Sequence, residues 1–442
     1  MSRNNFDFSI PVLGDAKISS PIKMSKVKGD SFAAYVNDNE YVLFDINTHM
    51  GESGIELHSS EVLQVAGPRE MIYFNPAHVH VAITTCGGLC PGLNNVIRAL
   101  VRCFWYSYGV RRISGIQFGY RGLMPESSYA PVPLDPDVVD DIQMKGGSIL
   151  GAARGSGDRV SDIVDSLERM NVNILIAVGG DGTLRGADEI GDEIKKRGLK
   201  IGVIGIPKTI DNDLSFIQRS FGFDTAVSMA VQVVRGAHAE AHDSINGIGL
   251  VKVMGRESGY IAAHTALAMS DVNFCLIPED PFDLHGKNGL LTHLKKRILS
   301  RNHAVILIAE GAGQHLVDEL DEKDASGNKR FVDIGVFLRD TIIKYFKEEN
   351  VETNMKYIDP SYIIRSAPAN PNDSIYCSRL GAHAVHAAMG GKTQTLISLV
   401  NNKFVHIPIR VAVSARNMVN TEGSLWRDVL ENTRQPVLMR NQ

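Results

Sequence analysis

Cysteine is scarce in this chain: five in 442 residues, an odd number with no repeating spacing. That excludes a disulfide-stapled secreted scaffold and fits a reducing compartment. Cys86 and Cys90 form a lone pair with no second pair to complete a zinc site, so packing in a tight loop is their plainer role. Neither sign of charge prevails, since 46 Lys and Arg against 50 Asp and Glu leave a net charge of −4. Nothing therefore advertises nucleic acid or an anionic membrane as partner, although local basic pockets remain open. The longest apolar runs are strand-sized and broken by glycine, too short for a membrane span. The start, Met1 to Asp7, lacks the apolar core of a secretory signal, and Arg440 to Gln442 is no peroxisomal address. These absences lead us to expect a cytoplasmic protein. What remains is 44% hydrophobic and 22% charged, a globular composition over a length that calls for two or three domains.

The first 78 residues differ in texture from the rest. Phe32 to Val36 and Tyr41 to Asp45 read as short strands without a helical stripe nearby, so a small, irregular or β-rich extension is expected up to Asn75-Pro76. From Val79 the pattern alternates. Strands are expected at 80–85, 172–178, 201–206, 247–253, 273–277 and 304–309, with helices near 93–106, 183–197, 224–241, 257–269 and 287–299. Such alternation predicts parallel sheets covered by helices on both faces. The polar, turn-rich stretch 321–330 is expected as an exposed loop.

Five of these strands run into candidate ligand loops: Cys86–Gly92, Gly179–Thr183, Met254–Arg256 and Glu310–Gly313 bear glycine, and Pro207–Asp213 bears two aspartates. In open parallel sheets, ligands bind outside the carboxyl ends of the strands. Glycines there let backbone N–H groups approach a phosphate, and the following helix offers its positive end. Gly87-Gly88 and Gly180 to Thr183 have that layout, although a tight turn alone would also need glycine. No Gly-Lys-Ser/Thr completes a Walker pattern. Asp181 is a candidate magnesium ligand, because that ion takes one carboxylate with phosphate oxygens and retained waters; capping a helix is the alternative. Asp211 and Asp213 offer a base for an acceptor hydroxyl and a second acidic group. Arg154 and Arg256, both on glycine loops, are cations suited to a phosphoryl group.

In this order, the loops Gly87–Asn94, Gly179–Thr183, Pro207–Asp213, Met254–Arg256 and Glu310–Gly311 resemble the signature loops of the 6-phosphofructokinases. The resemblance covers roughly 79–430, and with the long amino-terminal extension it looks most like the trypanosomatid, plant and spirochaete branch, close in sequence to the pyrophosphate-dependent enzymes. It implies magnesium-assisted transfer of a phosphoryl group to the 1-hydroxyl of fructose 6-phosphate. Asp211 would be the general base, Asp213 would support the acceptor and metal region, Thr209 would contact the transferring phosphoryl and Arg256 would stabilise its charge. Asp181 would hold magnesium. Gly88, Tyr120, Arg154, Gly182, Thr183 and Gly186 would line the donor site. Lys208, Met254, Gly255, Glu310, Lys356, Tyr362 and Arg365 would serve the substrate, with Lys356 and Arg365 on its 6-phosphate. The family also implies a homo-oligomer, dimer or tetramer, whose effector sites do not carry over from the bacterial pattern.

The donor turns on two positions. After Asp181 the pyrophosphate users carry a second aspartate that crowds the place of a nucleotide α-phosphate; here Gly182 leaves room for ATP. Lys208 is typical of the pyrophosphate users, but a lysine adds charge without excluding a nucleotide, so ATP is the expected donor. Two departures from the best-known bacterial members stand out. Gly247 occupies the position of an arginine that reaches a neighbouring subunit's substrate, and Tyr362 stands in place of a histidine. The expected fold is α/β: two Rossmann-like domains with parallel sheets facing one cleft, behind an extension available to embrace a partner subunit. The domains are expected at 79–222, with part of 395–442, for the nucleotide and at 223–394 for the sugar phosphate. The alternatives are a pyrophosphate-dependent phosphotransferase on the same site and a catalytically silent sensor. Joint retention of Asp181, Asp211 and Arg256 argues against the sensor.

Overall fold

The computed structural model of the protein describes residues 6–44, 49–51, 54–56, 62–317 and 331–441. The loop expected at 321–330 lies outside them. The extension contributes short strands β1 (Ile18–Ser19), β2 (Tyr41–Leu43), β3 (His49–Gly51), β4 (Gly54–Glu56), β5 (Val62–Gln64) and β6 (Met71–Ile72). The expected strand at 32–36 is reduced to one bridge between Ser25 and Ala34. From there the chain runs through β7 (His80–Thr85), α1 (Leu93–Arg102), β8 (Arg112–Ile116), β9 (Val132–Pro133), α2 (Val160–Arg169), β10 (Ile174–Gly179), α3 (Asp181–Lys196) and β11 (Gly202–Pro207). Then follow α4 (Phe223–His242), β12 (Gly247–Val253), α5 (Tyr260–Ala268), β13 (Phe274–Leu276), α6 (Leu290–Arg301), β14 (His303–Ala309), α7 (Ile334–Glu348), β15 (Asn354–Ile358) and α8 (Ser361–Arg365). Last come α9 (Pro371–Met389), β16 (Thr395–Val400), β17 (Lys403–Pro408), α10 (Ile409–Ala412) and α11 (Ser424–Thr433). None of the helices described is long and apolar enough to cross a membrane.

The chain forms two compact units. Unit 1 comprises 1–209, 214–221 and 368–415; unit 2 comprises 210–213, 222–367 and 416–442. This division departs from the expected 79–222 and 223–394 at the carboxyl end. Helix α9 belongs to unit 1, because Gly381 lets it approach α1 so closely that a Cβ there would lie 2.7 Å from the Ala99 Cβ. Residues 416–441 return to unit 2, where Met439 enters the core and the Gln435 side chain bonds both the N–H and the carbonyl of Cys275.

Unit 1 is built on a seven-stranded sheet in the order β17-β16-β11-β10-β7-β8-β9. The five central strands are parallel, while β9 and β17 run antiparallel at the two edges, so this sheet is mixed rather than wholly parallel. At one edge the reason is local: Asn401 and Asn402 both adopt positive φ (47° and 61°) and close a two-residue hairpin between β16 and β17. Strands such as Ile174–Gly179 are buried along their whole length, as parallel strands covered on both faces must be. Helices α2 and α3 pack on one face through Ile163, Leu167, Leu184 and Ile190. The extension lies along the β17 edge, with Ala66 N–H donating to the Phe404 carbonyl at 2.8 Å. Its described residues thus protect an edge of their own sheet.

Unit 2 holds a four-stranded parallel sheet, β13-β14-β12-β15, with a separate core built by Ile248, Leu250, Ile306, Ile308, Leu294, Leu338 and Phe346. Helix α4 lies directly on β12. A Cβ at Gly247 would come within 2.1 Å of the Ala241 carbonyl oxygen, so no larger residue fits that position. In both sheets the strand order reverses beside the first strand entered, between β7 and β10 in unit 1 and between β12 and β15 in unit 2. The signature loops leave the carboxyl ends of these strands, where such a reversal opens a crevice.

Candidate active site

In unit 1 the loop after β7 is braced from below. The Lys208 ammonium donates to the Gly88 carbonyl at 2.8 Å, and the Gly87 N–H donates to the Ala153 carbonyl at 2.8 Å. The Gly87 amide, one of those expected to face a phosphate, is therefore engaged in holding the loop. Arg154 is exposed, with Nη2 where a Cβ on Gly88 would meet it at 3.8 Å. Burial pushes the Cys86 thiol up to about 11 and leaves it an inert packing group.

After β10, Gly180 caps α3 without a side-chain bond, so Asp181 stands inside the first helical turn and is not the cap. Its carboxylate accepts from Arg185 Nε at 3.2 Å, one turn along the helix. No three His, Cys, Asp or Glu side chains among the described residues form a metal cluster. A single carboxylate at a helix N-terminus nonetheless fits magnesium that arrives with nucleotide phosphates and keeps its waters. Gly182 faces open space: a Cβ added there would meet no atom of the described residues within 4 Å. Tyr120 and Gly186 lie behind this surface. The Tyr120 ring is buried and its hydroxyl donates to the Thr183 carbonyl at 2.8 Å, while a Cβ at Gly186 would touch that ring at 3.2 Å. They support the turn from beneath. Thr183 is buried under Gly179, and Thr209 is half-buried where the chain leaves unit 1.

In unit 2, residues 210–213 pack against the Met254–Ser258 loop. Asp211 Oδ2 accepts from the Arg256 N–H at 3.4 Å, and Oδ1 is buried with no hydrogen-bond partner in the structure. Burial first, then the charges of Asp213 and Glu310, push the Asp211 carboxyl up to about 7, with Arg365 opposing them. A carboxylate titrating there suits a general base. Met254 is fully buried, and Gly255 has φ +127° with the Ser258 carbonyl 2.5 Å from a would-be Cβ. Gly311 allows the same loop to lie across it: a Cβ there would fall 1.8 Å from the Arg256 carbonyl oxygen. The Arg256 guanidinium stacks on Phe331 at 4.3 Å, and Arg365 lies 3.9 Å from Glu310.

Lys356 does not join this group within the chain. It sits inside edge strand β15, paired in register with Gly249, and its ammonium is 4.0 Å from Glu240 of α4. Lys356 thus lies beside Glu240, whereas Arg365, at the end of α8, lies beside Glu310. Tyr362 on α8 is 82% exposed.

Several residues escaped sequence reasoning. Arg185 was legible, four positions after Asp181 on a helix. Lys252, a lone cation in the apolar β12, bonds Asp333 at 2.9 Å and Asp359 at 3.0 Å, which links the start of α7 to the turn before α8. Arg416 pairs with the Asp213 carboxylate from 203 positions away, and no local pattern marks it.

The model of the phosphofructokinase family matches residues 80–388. The chain belongs to that family. It is 55% identical to the ATP-dependent 6-phosphofructokinase of Borreliella burgdorferi, over 100% of this chain and 99% of the relative. It is 43% identical to the ATP-dependent 6-phosphofructokinase of Trypanosoma cruzi, over 97% of this chain and 87% of that one. Among solved structures, the pyrophosphate-dependent phosphofructokinase of Marinobacter aquaeolei aligns with a TM-score of 0.63 at 17% identity, covering 80% of this chain and 91% of that chain. The T-state phosphofructokinase of Pichia pastoris aligns with 0.62 at 22%, covering 83% of this chain and 38% of that one. At those identities the structural likeness speaks for the fold, an α/β architecture with mixed and parallel sheets.

Proposed function

We propose that this phosphofructokinase transfers the γ-phosphoryl of ATP to the 1-hydroxyl of fructose 6-phosphate, giving fructose 1,6-bisphosphate. The observation that carries the reading is Asp211: a carboxylate whose buried Oδ1 has no hydrogen-bond partner in the structure and whose affinity for protons is poised near neutrality. Such a group accepts the proton of an attacking hydroxyl as the new bond forms. Arg256 neutralises charge that develops on the transferring phosphoryl, and Thr209 contacts it. Met254, Gly255, Glu310 and Arg365 orient the sugar phosphate. Transfer is direct and in line, without a covalent phosphoenzyme. Asp181 holds magnesium, which when bound neutralises the phosphate oxygens.

ATP is favoured over pyrophosphate because Gly182 leaves open the space a side chain would fill, and because the Lys208 ammonium is drawn to the Gly88 carbonyl. Five free thiols suit a reducing compartment such as the cytoplasm. Assembly as a dimer or tetramer belongs to the same proposal and is read by sedimentation. The deciding experiment is fructose 6-phosphate phosphorylation with magnesium, comparing ATP and pyrophosphate. Turnover with ATP alone supports the reading, and turnover with pyrophosphate alone replaces the donor. Silence with both, in folded protein that still binds the sugar phosphate, makes it a sensor.

A further inference from the structure

The carboxyl-terminal segment of unit 2 forms a strap across the acidic loop. The Asn417 N–H donates to the Asp213 carbonyl at 2.9 Å, and Asn417 Nδ2 donates to the Asn212 carbonyl at 3.1 Å. The strap is itself anchored. The Tyr260 hydroxyl reaches Asn417 Oδ1 at 3.1 Å and the Met418 carbonyl at 3.0 Å, and the Val419 N–H donates to Glu279 Oε1 at 2.7 Å. The Gly259 N–H also meets the Glu279 oxygens, at 3.0 and 3.1 Å, so one carboxylate ties the strap to the start of α5. At the head of the strap, Arg416 Nη1 donates to Asp213 Oδ2.

The loop it holds is an unfavourable one. Asn212 is left-handed, with φ 57°, and it separates the buried Asp213 from Asp211 with its buried Oδ1. Like charges at that spacing repel, and in a buried site the repulsion is screened little. A cation on Asp213 both offsets its charge and fixes which way it points. The Met254–Ser258 loop grips Asp211 from its own side, through the Arg256 N–H to Oδ2. The backbone between Asp211 and Asp213 is thus held from both sides.

We propose that Arg416 is a positioning residue of the acceptor site: by holding the Asp213 carboxylate, it keeps Asp211 Oδ1 directed at the substrate hydroxyl. This rests on the kinase reading above and adds a residue that acts through Asp213. Arg416→Met should lower kcat about 100-fold while the KM for fructose 6-phosphate and for ATP stays within about threefold, the pattern of a lost transition-state interaction. Arg416→Lys keeps the charge and should recover most of that loss. If Arg416 acts through Asp213, its removal should cost less than about threefold more once Asp213→Asn is in place, a coupling that a double-mutant cycle isolates.

Three results would overturn the inference: an Arg416→Met kcat within threefold of wild type, a KM for fructose 6-phosphate raised tenfold at constant kcat, or fully additive losses. Should Arg416→Met fail to fold, the double variant, which leaves no charge orphaned, carries the test against Asp213→Asn alone. Equal kcat values support the inference and a further tenfold loss overturns it. A wild type silent with both phosphoryl donors removes the kinase reading and this inference together. A wild type that turns over while Arg416→Met matches it removes this inference alone.

Discussion

The loops of unit 1 and those of unit 2 use glycine in opposite ways. At Gly182 the missing side chain leaves empty space beside a helix N-terminus. At Gly255 and Gly311 it lets two loops press together until no atom could be added. The charges differ in the same sense. Asp181 meets Arg185 on a partly exposed turn, whereas Asp211 and Asp213 are enclosed with Arg256, Arg365 and Arg416 around them. A nucleotide phosphate, already charged and accompanied by a metal, needs room and backbone dipoles. A sugar hydroxyl is neutral and must be made nucleophilic, which takes a carboxylate whose surroundings are closed and fixed in position. The same fold thus builds an open half and a tight half.

Asp211→Asn tests the tight half most directly. It should cost up to about 10⁴-fold in kcat, with substrate KM values little changed. A loss below tenfold would strip Asp211 of its role as base. Gly182→Asp tests the open half. The side chain fits the free protein without strain, so melting should hold steady while kcat/KM for ATP falls about 100-fold. An unchanged ATP rate would show that this space is not used by the nucleotide.

The tight half should also carry the pH dependence. Because burial and Asp213 raise the Asp211 pKa to about 7, its base form is lost as pH falls through that value. Then kcat/KM should drop about tenfold per pH unit below ~7 and level off above it. A profile flat down to pH 5 would place the base elsewhere. Smallest is a stability contrast, read by denaturant melts. Gly311→Ala should destabilise by about 1–3 kcal/mol, since a methyl group collides with the Arg256 carbonyl. Gly182→Ala should stay within about 0.5 kcal/mol of wild type. Equal losses at the two positions would end the comparison.

Legibility in the sequence followed how local each feature was. Strands 80–85, 247–253 and 304–309 were plain as buried apolar runs, and the glycine loops after them marked the candidate site. The expected helix at 93–106 was right in position, although its last turns widen into a π-helix at Cys103–Tyr108. The antiparallel edge β17 was missed, because its signal is a two-asparagine turn rather than a change in hydrophobicity. Lys356 and Arg365 fall on different elements, strand β15 and helix α8, which their closeness in sequence did not reveal. Gly247, marked in the sequence as a departure from the bacterial members, sits where α4 rests on the strand and a Cβ would meet the Ala241 carbonyl.

From the sequence alone came the α/β alternation, the order of the loops and the candidacy of Asp181, Asp211 and Arg256. Each strand, helix and loop is encoded in a short consecutive stretch, by periodicity or by a motif. Tertiary structure alone decided which carboxylate is buried and open, where the two units divide, and that Arg416 meets Asp213. Burial and charge pairing depend on residues brought together by folding from hundreds of positions apart, and such contacts leave no periodic trace along the chain.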